Sequence, residues 1–321
     1  MAHAVINTEL AESRAKILRY HSPYHFLKGL PDSYQYEQFG AGRAVRFGEK
    51  QQERIFESDN IQILYELLPW DTAFFGVPTY RLFTVLFTAA DSLDRLTEAL
   101  QRFQKQLALE GAVYCFVEVP AEDIRLLQGL TQAGWRWNET RLHYYRGRLA
   151  EFEEPRYAVR LAQPVEAICI GQIAAAARND YDRFHADPWF GQERADAFLA
   201  RYGAAATEGY CDAVLVPDEP LLLLDSFLAI SDLGSDAAAL GVGLSRVVLT
   251  AVGPTNRGWH RRLVSETIHR ARERGASFVL MTTQATNGAV IRNAEKLNFA
   301  LGSTTHILSY SAAMPSSLQA S

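Results

Sequence analysis

The chain lacks most of the features that mark secreted and membrane proteins. Its 321 residues include three cysteines, Cys115, Cys169 and Cys211, which lie far apart and form no CxxC pair. This pattern excludes a disulfide framework and favours a reducing cytoplasm. Apolar runs such as that at 221–224 are far shorter than the roughly 20 residues of a membrane-spanning helix. The first residues, MAHAVINTELAESRAKILR, lack the apolar core of a secretory signal. We therefore expect a cytoplasmic protein without a membrane partner.

An excess of basic charge is also missing, since the formal net charge is −5. General binding to nucleic acid needs a basic surface, so the net charge argues against that function and any anion site must be local. His185 and Asp187 form a lone H-x-D pattern with no further ligand suggested nearby, and we expect no metal site. The composition, 48% hydrophobic and 21% charged, is typical of a globular protein, and the length allows two domains.

Two stretches of the chain share one pattern of punctuation. A helix of apolar period ends at Gly111, the strand AVYCFVEV follows, and a second helix ends at Gly134 before an aromatic residue. The same order recurs with a helix ending at Gly275, the strand SFVLMTT, and a helix ending at Asn298 before an aromatic residue. The two markers lie 23 positions apart in both stretches. Equal spacing with matched punctuation favours two related modules over coincidence.

The stretch EFEEPRY, residues 151–157, is charged and contains a proline, so we place a domain boundary there. The sequence then predicts an N-terminal extension at 1–57, a reduced module at 58–150 and a second module at 157–312. The extension carries no motif that we can interpret. In the second module we expect a hairpin, DAVLV and LLLLDSFLAI joined by the turn PDEP, and a third strand, LSRVVLTAV.

The third strand runs directly into a helix through the basic stretch GPTNRGWHRRL, residues 253–263. The first N–H groups of a helix have no partner within the helix, and the helix dipole adds partial positive charge there. Gly258 would let a phosphate approach the backbone closely, and the turn also holds a histidine and three arginines. The turn therefore predicts an anion-binding site, with an exposed helix start and solvated arginines as the plain alternative.

The order strand, basic turn, helix and strand, followed by NGAVIRNAEKLNF, resembles the GNAT family of acyl-CoA N-acyltransferases over residues 157–310. The resemblance implies an α+β fold, a mixed sheet with flanking helices, in a tandem arrangement whose N-terminal GNAT-like module is reduced. It also implies acetyl-CoA as co-substrate, because PTNRGWHRRL matches the family loop around the pyrophosphate and the preceding strand pairs with the pantetheine arm. The residues implied in coenzyme binding are Leu249, Ala251, Val252, Asn256, Arg257, Gly258, Trp259, His260, Arg261 and Asn287.

Four positions depart from the family pattern. Thr255 stands where Gln or Arg is usual, His260 where a second Gly or Ala is usual, and Asn298 where a Gly precedes the Phe. Ala294 stands where most members have the Tyr that protonates the departing thiolate. A thiol has a pKa near 8.5, so a thiolate leaves tolerably near neutrality, and losing a general acid costs roughly 10²–10⁴-fold in rate. The departure at 294 therefore predicts slower transfer, not an end to transfer.

A narrower likeness points to the acceptor. The segments LLPWDTAFFGVP, residues 67–78, and DRFHADPWF, residues 182–190, are similar to the WecD-like branch, which acetylates the 4-amino group of a nucleotide-linked deoxy-sugar. The resemblance implies acceptor binding by Trp70, Asp71, Phe74, Phe75, Arg183 and Asp187. The stretch NDYDRFHADPW is also the richest local store of acid and base groups, and within it His185 is the candidate that takes a proton from the attacking amine, since an unperturbed imidazole has a pKa near 6.5. Capping or surface roles for the polar members, and core roles for the aromatic ones, are the structural alternatives.

The leading hypothesis is an acetyl-CoA-dependent N-acetyltransferase acting on a small primary amine, with a nucleotide-linked amino sugar as the candidate acceptor. The alternative is a degenerate module that binds acyl-CoA, or a protein partner, without turnover. An acyltransferase for a protein or peptide amine is a third hypothesis, since acceptor pockets in this fold are built from variable loops.

Overall fold

The chain divides into two units, and the first of them combines residues from two separate stretches of the chain. The structure, a computed structural model, describes residues 5–109, 111 and 113–312. The first unit holds the described residues up to Thr140 and those from Thr304 onwards, and the second unit runs from Arg141 to Ser303. In the described part of the chain, no helix is long and apolar enough to cross a membrane.

The first unit begins with short helices and continues with alternating strands and helices. Its helices are α1 (Thr8–Ser13), α2 (Ala15–Leu18), α3 (Asp32–Gln38), α4 (Ala41–Val45), α5 (Pro69–Phe75), α6 (Leu93–Ala108) and α7 (Ile124–Gln132). Its strands are β1 (Glu53–Ser58), β2 (Ile61–Leu67), β3 (Thr79–Leu86) and β4 (Tyr114–Pro120). A further strand, β5 (Arg136–Arg146), begins in the first unit and ends in the second.

Helix α6 shows how the sequence builds this unit. Ser92 caps it by accepting the N–H of Arg95 at 3.2 Å. The apolar stripe expected from the sequence is buried together with side chains of α7 and of the strands. The buried members on α6 are Leu96, Leu100, Phe103 and Leu107. Burying one such side chain contributes about 1.5–3 kcal/mol, so the stripe holds α6 on the sheet more strongly than helix propensity does.

The N-terminal segment, residues 5–47, packs on the other face of the same strands. Leu64 of β2 and Leu86 of β3 belong to its cluster, whereas Ile63 and Tyr65 belong to the cluster beneath α6. Successive side chains of a strand point to opposite faces, so the two clusters lie on opposite sides of the sheet. The segment contributes Ile6, Leu10, Ala11, Leu18, Ala41, Ala44 and Phe47. The extension predicted at 1–57 therefore supplies one of the two apolar layers that cover this sheet.

The second unit has one additional strand, β6. Its helices are α8 (Ala167–Ala176), α9 (Arg183–Ala186), α10 (Gln192–Ala205), α11 (Gly234–Leu240), α12 (Trp259–Glu273) and α13 (Gly288–Lys296). Its strands are β6 (Val159–Leu161), β7 (Ala213–Pro217), β8 (Ser226–Ser231), β9 (Leu244–Val252) and β10 (Phe278–Gln284). The last strand, β11 (Ala300–Ser311), begins in this unit and ends in the first.

The two units repeat one strand order. The order is β1-β2-β3-β4-β11 in the first unit and β7-β8-β9-β10-β5 in the second, where β6 is added beside β7. In both, the first three strands are antiparallel, the third and fourth are parallel, and the fifth is antiparallel to the fourth. The fifth strands are exchanged, because β5 follows α7 but pairs with β10, and β11 follows α13 but pairs with β4. The α+β fold with a tandem, reduced first copy is confirmed, while the ranges 1–57, 58–150 and 157–312 stay a prediction.

The residues that end the helices of the repeat share one backbone conformation. Gly111, Gly134 and Gly275 have φ values of 96°, 87° and 74°, and Asn298 has a φ of 54°. All four lie in the left-handed region, which glycine adopts freely and asparagine adopts more readily than most residues. Asn298 therefore ends its helix in the same way as the Gly that is usual there.

The hairpin predicted around PDEP is wrong in its second arm. Strand β8 begins at Ser226, and the run 221–224 lies in a loop in which Leu221 has a φ of 70° and is fully exposed. Strand β7 ends at Pro217 and Pro220 follows, so the backbone there lacks two of the N–H donors that a ladder needs. The loop instead packs beside the turn that follows β9.

Helices α8 and α10 pack so closely that only glycine fits at their crossing. A Cβ built on Gly171 would lie 2.5 Å from the carbonyl oxygen of Ala200. We expect Gly171→Ala to lower the free energy of unfolding by about 1–3 kcal/mol, because the added methyl overpacks the crossing. Gly234→Ala is the control, since a Cβ there would meet nothing within 4 Å. Urea titrations that show equal stability for both variants would contradict this packing.

Candidate functional site

Strand β9 runs into α12 through a short turn that requires a glycine. Pro254–Asn256 form a single 3₁₀ turn, and Gly258 precedes α12 with a φ of 93°. Among the described residues no side chain caps α12, and a Cβ built on Gly258 would meet nothing within 4 Å. The first N–H groups of a 15-residue helix are therefore open, and an anion can approach the backbone there without displacing a side chain.

The loop that precedes β8 fixes this turn through hydrogen bonds. The N–H of Gly253 donates to the carbonyl oxygen of Asp225 at 2.8 Å, and the N–H of Thr255 donates to the Asp225 carboxylate at 3.2 Å. The Thr255 hydroxyl also donates to that carboxylate. Asn256 is buried and its Nδ2 donates to the carbonyl oxygen of Leu223 at 3.2 Å. The side chains of Thr255 and Asn256 therefore shape the turn, and that of Asn256 is buried.

The arginines of the turn differ in how much charge they can offer to an anion. Both carboxylate oxygens of Glu154 lie 2.7 Å from Nη2 of Arg261, and Glu219 lies 3.1 Å from Nη1 of Arg262. Arg257 is exposed and lies between the 3₁₀ turn and Gly258. Among the described residues no carboxylate pairs with it, so it supplies the free positive charge nearest the open N–H groups.

His260 contributes no positive charge to the turn near neutral pH. Burial lowers the pKa of its imidazole to about 4, and Nδ2 of Asn293 donates to its Nδ1 at 3.0 Å. Its Nε2 is enclosed and has no hydrogen-bond partner among the described residues. The ring fills the space between α12 and α13, so the larger side chain in place of the usual small residue packs against Asn293.

Strands β9 and β10 pair side by side only at their beginnings. Within the described chain, their pairing runs from Leu244 with Phe278 to Val247 with Met281, although β9 continues to Val252 and β10 to Gln284. A β-bulge against β8 lies where the pairing ends, because Val247 and Leu249 oppose adjacent residues of β8 and Val248 is extra. The bulge bends β9 away and leaves one edge of its second half open.

The ladder with β8 decides which backbone groups face this open edge. The N–H of Gly253 is directed at β8, and alternate residues of a strand turn their polar groups to the same side. The groups of Leu249 and Ala251 are therefore used by β8, while those of Thr250 and Val252 face the open edge. Of the residues of β9 that were predicted to bind the coenzyme, Val252 faces the open edge, whereas Leu249 and Ala251 face β8. Thr250, which was not predicted, also faces the open edge. The β-bulge that sets this alternation leaves no signal in the sequence.

Helix α13 buries Ala294, the position at which a Tyr is usual in the family. Asn287 is the N-cap, and its Oδ1 accepts the N–H of Val290 at 3.2 Å. Ala294 is 0% exposed and belongs to the core cluster with Trp259 and Met281. A side chain at position 294 therefore points into packed apolar atoms, and the larger tyrosine ring would have to displace them.

Comparison with solved structures identifies the architecture. A GCN5-related N-acetyltransferase from Sphaerobacter thermophilus is 12% identical, with a TM-score of 0.55 over 97% of this chain and 95% of that chain. A GNAT-family acetyltransferase from Colwellia psychrerythraea is 10% identical, with a TM-score of 0.50 over 95% and 97% of the two chains. The chain has the GNAT fold. A Staphylococcus epidermidis protein of unknown function is 12% identical, with a TM-score of 0.54 over 81% and 94%. No protein-family model and no curated protein matches the chain.

His185, the predicted proton acceptor, is enclosed between two carboxylates of the second unit. Its Nδ1 lies 2.8 Å from Asp182, and its Nε2 lies 3.0 Å from Asp196. Asp182 also caps α9, and Asp196 accepts a second ion pair from Arg178 at 3.0 Å. A neutral imidazole has one N–H, so both contacts are hydrogen bonds only when the ring is protonated. This arrangement ties α9 to α10 and favours a structural role, and the catalytic role stays a prediction.

The residues implied in acceptor binding belong to different units of the GNAT fold. In the first unit, Trp70 of α5 is 39% exposed and stacks on Phe74 with 6.2 Å between the ring centroids, while Phe75 is buried. Asp71 lies in the first turn of the same helix. In the second unit, Arg183 and Asp187 are both buried. Trp70 therefore offers the larger accessible aromatic surface, and the acceptor assignments stay a prediction.

The buried state of His260 predicts a dependence of stability on pH. An unfolded histidine takes up a proton near pH 6.5, whereas the folded one does so near pH 4, so the unfolded state binds more protons between these values. The stability is complete above pH 6.5 and falls as the pH is lowered to 4, by up to about 3 kcal/mol. His260→Gln should lack this component in urea titrations at stepped pH. Parallel profiles for the two proteins would contradict it.

Proposed function

We propose that the second unit is an acyl-CoA-dependent N-acyltransferase that acts on a small primary amine, with acetyl-CoA as the expected donor. The observation that carries the proposal is the open edge of β9, which ends at the uncapped start of α12. An extended amide-containing arm can pair with the edge, and a phosphate joined to it then meets open N–H groups. The GNAT fold supports this assignment, because proteins named as acetyltransferases share it.

The residues of the chain suit this ligand in three respects. Backbone groups of Thr250 and Val252 can pair with the amides of a pantetheine arm, as a further strand would. The N–H groups after Gly258 can donate to a pyrophosphate, and each hydrogen bond to a charged group contributes about 1.5–3 kcal/mol. Arg257 adds a positive charge at the same place. Asn287 caps α13 at the end of β10 and fixes the position of that helix.

The transfer itself places a clear demand on the backbone. The neutral amine attacks the thioester carbonyl carbon, the carbon–sulfur bond breaks, and the amine proton passes to water or a nearby base. Negative charge on the carbonyl oxygen needs a preorganised donor, and an N–H freed at the Val248 bulge meets that need. Ala294 offers no acid for the thiolate, so the sulfur leaves as an anion, at a cost of roughly 10²–10⁴-fold in rate relative to acid-assisted departure.

We retain a nucleotide-linked amino sugar as the proposed acceptor, on the likeness of the segments at 67–78 and 182–190. Within the second unit, Arg183 is a cationic side chain of the kind that phosphate groups recognise. The binding of acyl-CoA without turnover is the second candidate, and the enclosure of Ala294 and His185 favours it. Release of free thiol from acetyl-CoA across a panel of amines separates the two, since a pure binder releases none above the rate of hydrolysis.

The phosphate contact is tested by a pair of substitutions at Gly258. Gly258→Asp and Gly258→Asn have nearly the same shape and suffer the same strain at a φ of 93°, but only the first adds a negative charge. We expect Asp to weaken acetyl-CoA binding at least about tenfold relative to Asn, because its carboxylate repels the phosphates. Isothermal titration calorimetry measures the affinities, and circular dichroism checks the fold. Equal affinities in two folded variants would refute the site.

A further inference from the structure

The first unit contains the same split between its parallel strands. Strand β3 pairs with β4 from Thr79 to Leu82, although β3 continues to Leu86. A bulge against β2 lies at Phe83, where the pairing ends, just as the bulge of β9 lies at Val248. The first unit therefore has an open edge on β3 that corresponds to the edge of β9.

Aligning the paired residues gives the matching positions. Thr79 matches Leu244, and the same offset of 165 residues matches Val85 with Thr250 and Phe87 with Val252. Tyr114 matches Phe278, and the same offset of 164 residues matches Asp123 with Asn287. Asp123 and Asn287 are both the N-caps of the helices that follow, α7 and α13. The residues Val85, Phe87 and Asp123 thus mark where a coenzyme arm would lie in the first unit.

The N-terminal segment already occupies these three positions. The guanidinium of Arg14 donates to the carbonyl oxygen of Val85 and to the carboxylate of Asp123. The hydroxyl of Ser13 donates to the carbonyl oxygen of Phe87 at 3.2 Å, and the Arg14 guanidinium lies 4.1 Å from the centroid of the Phe87 ring. Two adjacent residues of the extension therefore bind two carbonyl oxygens at the open edge of β3 and the carboxylate of the helix cap beside it.

This contact is buried, and the charges of Arg14 and Asp123 offset each other. Arg14 is 5% exposed and Asp123 2% exposed, and Nε2 of His21 lies 2.9 Å from the same carboxylate. Burial lowers the pKa of Arg14. Burial alone would raise the pKa of Asp123, but the hydrogen bond from His21 and the charge of Arg14 outweigh it and lower that pKa. Removing one member would leave a buried charge without its partner.

The loop after β3 is closed to anions by its own carboxylate. Asp91 is buried, and its Oδ2 accepts the N–H of Thr88 at 2.7 Å and the Thr88 hydroxyl at 2.8 Å. Arg95 pairs with the other oxygen of the same carboxylate at 3.1 Å. Ser92 caps α6, in contrast to the uncapped α12. A phosphate at this turn would meet a negative charge and a helix start that is already capped.

We propose that residues 7–21 permanently occupy the cleft of the first unit, by which we mean the gap at the open edge of β3. Ser13 and Arg14 there take the place of a coenzyme arm. The chain then has a single acyl-CoA site, in the second unit. The identity of the replaced ligand rests on the proposed function, whereas the occupation of the cleft does not. The first unit is then a permanently liganded copy whose ligand is part of its own chain.

The number of sites is measured by calorimetry of the full chain with acetyl-CoA. We expect one acetyl-CoA per wild-type chain and the loss of that single binding event in Gly258→Asp. Two equivalents in the wild type, or one equivalent persisting in a folded Gly258→Asp variant, would overturn the proposal. Absence of binding to the wild type would instead refute the proposed function.

The occupation of the cleft is measured without coenzyme, by amide hydrogen exchange of the full chain. In the wild type, amides of α1, α2 and the second half of β3 should be protected before acetyl-CoA is added and unchanged afterwards. Arg14→Met should speed exchange there at least about 100-fold while β8 and β9 keep their protection. Arg46→Met is the matched control, because Arg46 lies on the same segment and its side chain bonds to Gln38 at 3.4 Å in an exposed position.

Fast exchange of α1 and α2 in the wild type would overturn the proposal, even if Arg14→Met failed to fold. So would new protection of β3 by acetyl-CoA. Equal exchange in the Arg14→Met and Arg46→Met variants would show that the Arg14 contact does not hold the segment in the cleft.

Discussion

Backbone polar groups that lose their neighbour in a sheet must find another partner, and this requirement governs both halves of the molecule. A bulge separates β3 from β4 and β9 from β10, so each unit presents a row of unpaired N–H and C=O groups. In the first unit two carbonyl oxygens of that row, those of Val85 and Phe87, accept hydrogen bonds from Arg14 and Ser13 of the same chain. In the second unit the row leads to the open start of α12, and a ligand with amides and phosphates is its natural complement.

The electrostatics of the turn reinforce this division. The net charge of the chain is −5, so an anion is not drawn to the surface in general. Around the turn, Glu154 and Glu219 neutralise two arginines, and burial keeps His260 neutral. At the proposed site, affinity for a phosphate would then come mainly from backbone N–H groups and Arg257. Such a site would depend on the shape of the backbone more than on the number of cationic side chains, and Gly258 would matter more to it than the arginines that follow.

Much of the architecture was predictable because helix ends obey local rules. Gly111, Gly134, Gly275 and Asn298 adopt left-handed conformations that few residue types tolerate, and this made the repeat visible in the sequence. Pairing between distant strands leaves no local mark, so the exchange of β5 and β11 could not be predicted. The facing of Thr250 depends on a bulge, and the pairing of Arg14 with Asp123 spans 109 positions of sequence. His185 and Asn256 were assigned to the site by motif, but each also has a partner outside its motif, Asp196 for His185 and Leu223 for Asn256.

The exchanged strands tie the folding of the two units to the order in which the chain is made. Strand β11 completes the sheet that β1 begins, and it lies at residues 300–311. While the ribosome is still adding those residues, β4 has no neighbour on one side and exposes a strand edge prone to wrong pairing. A sheet closed by such distant strands has a high contact order, which slows folding. The N-terminal segment is synthesised first. It can therefore cover one face of the incomplete sheet before β11 has been synthesised.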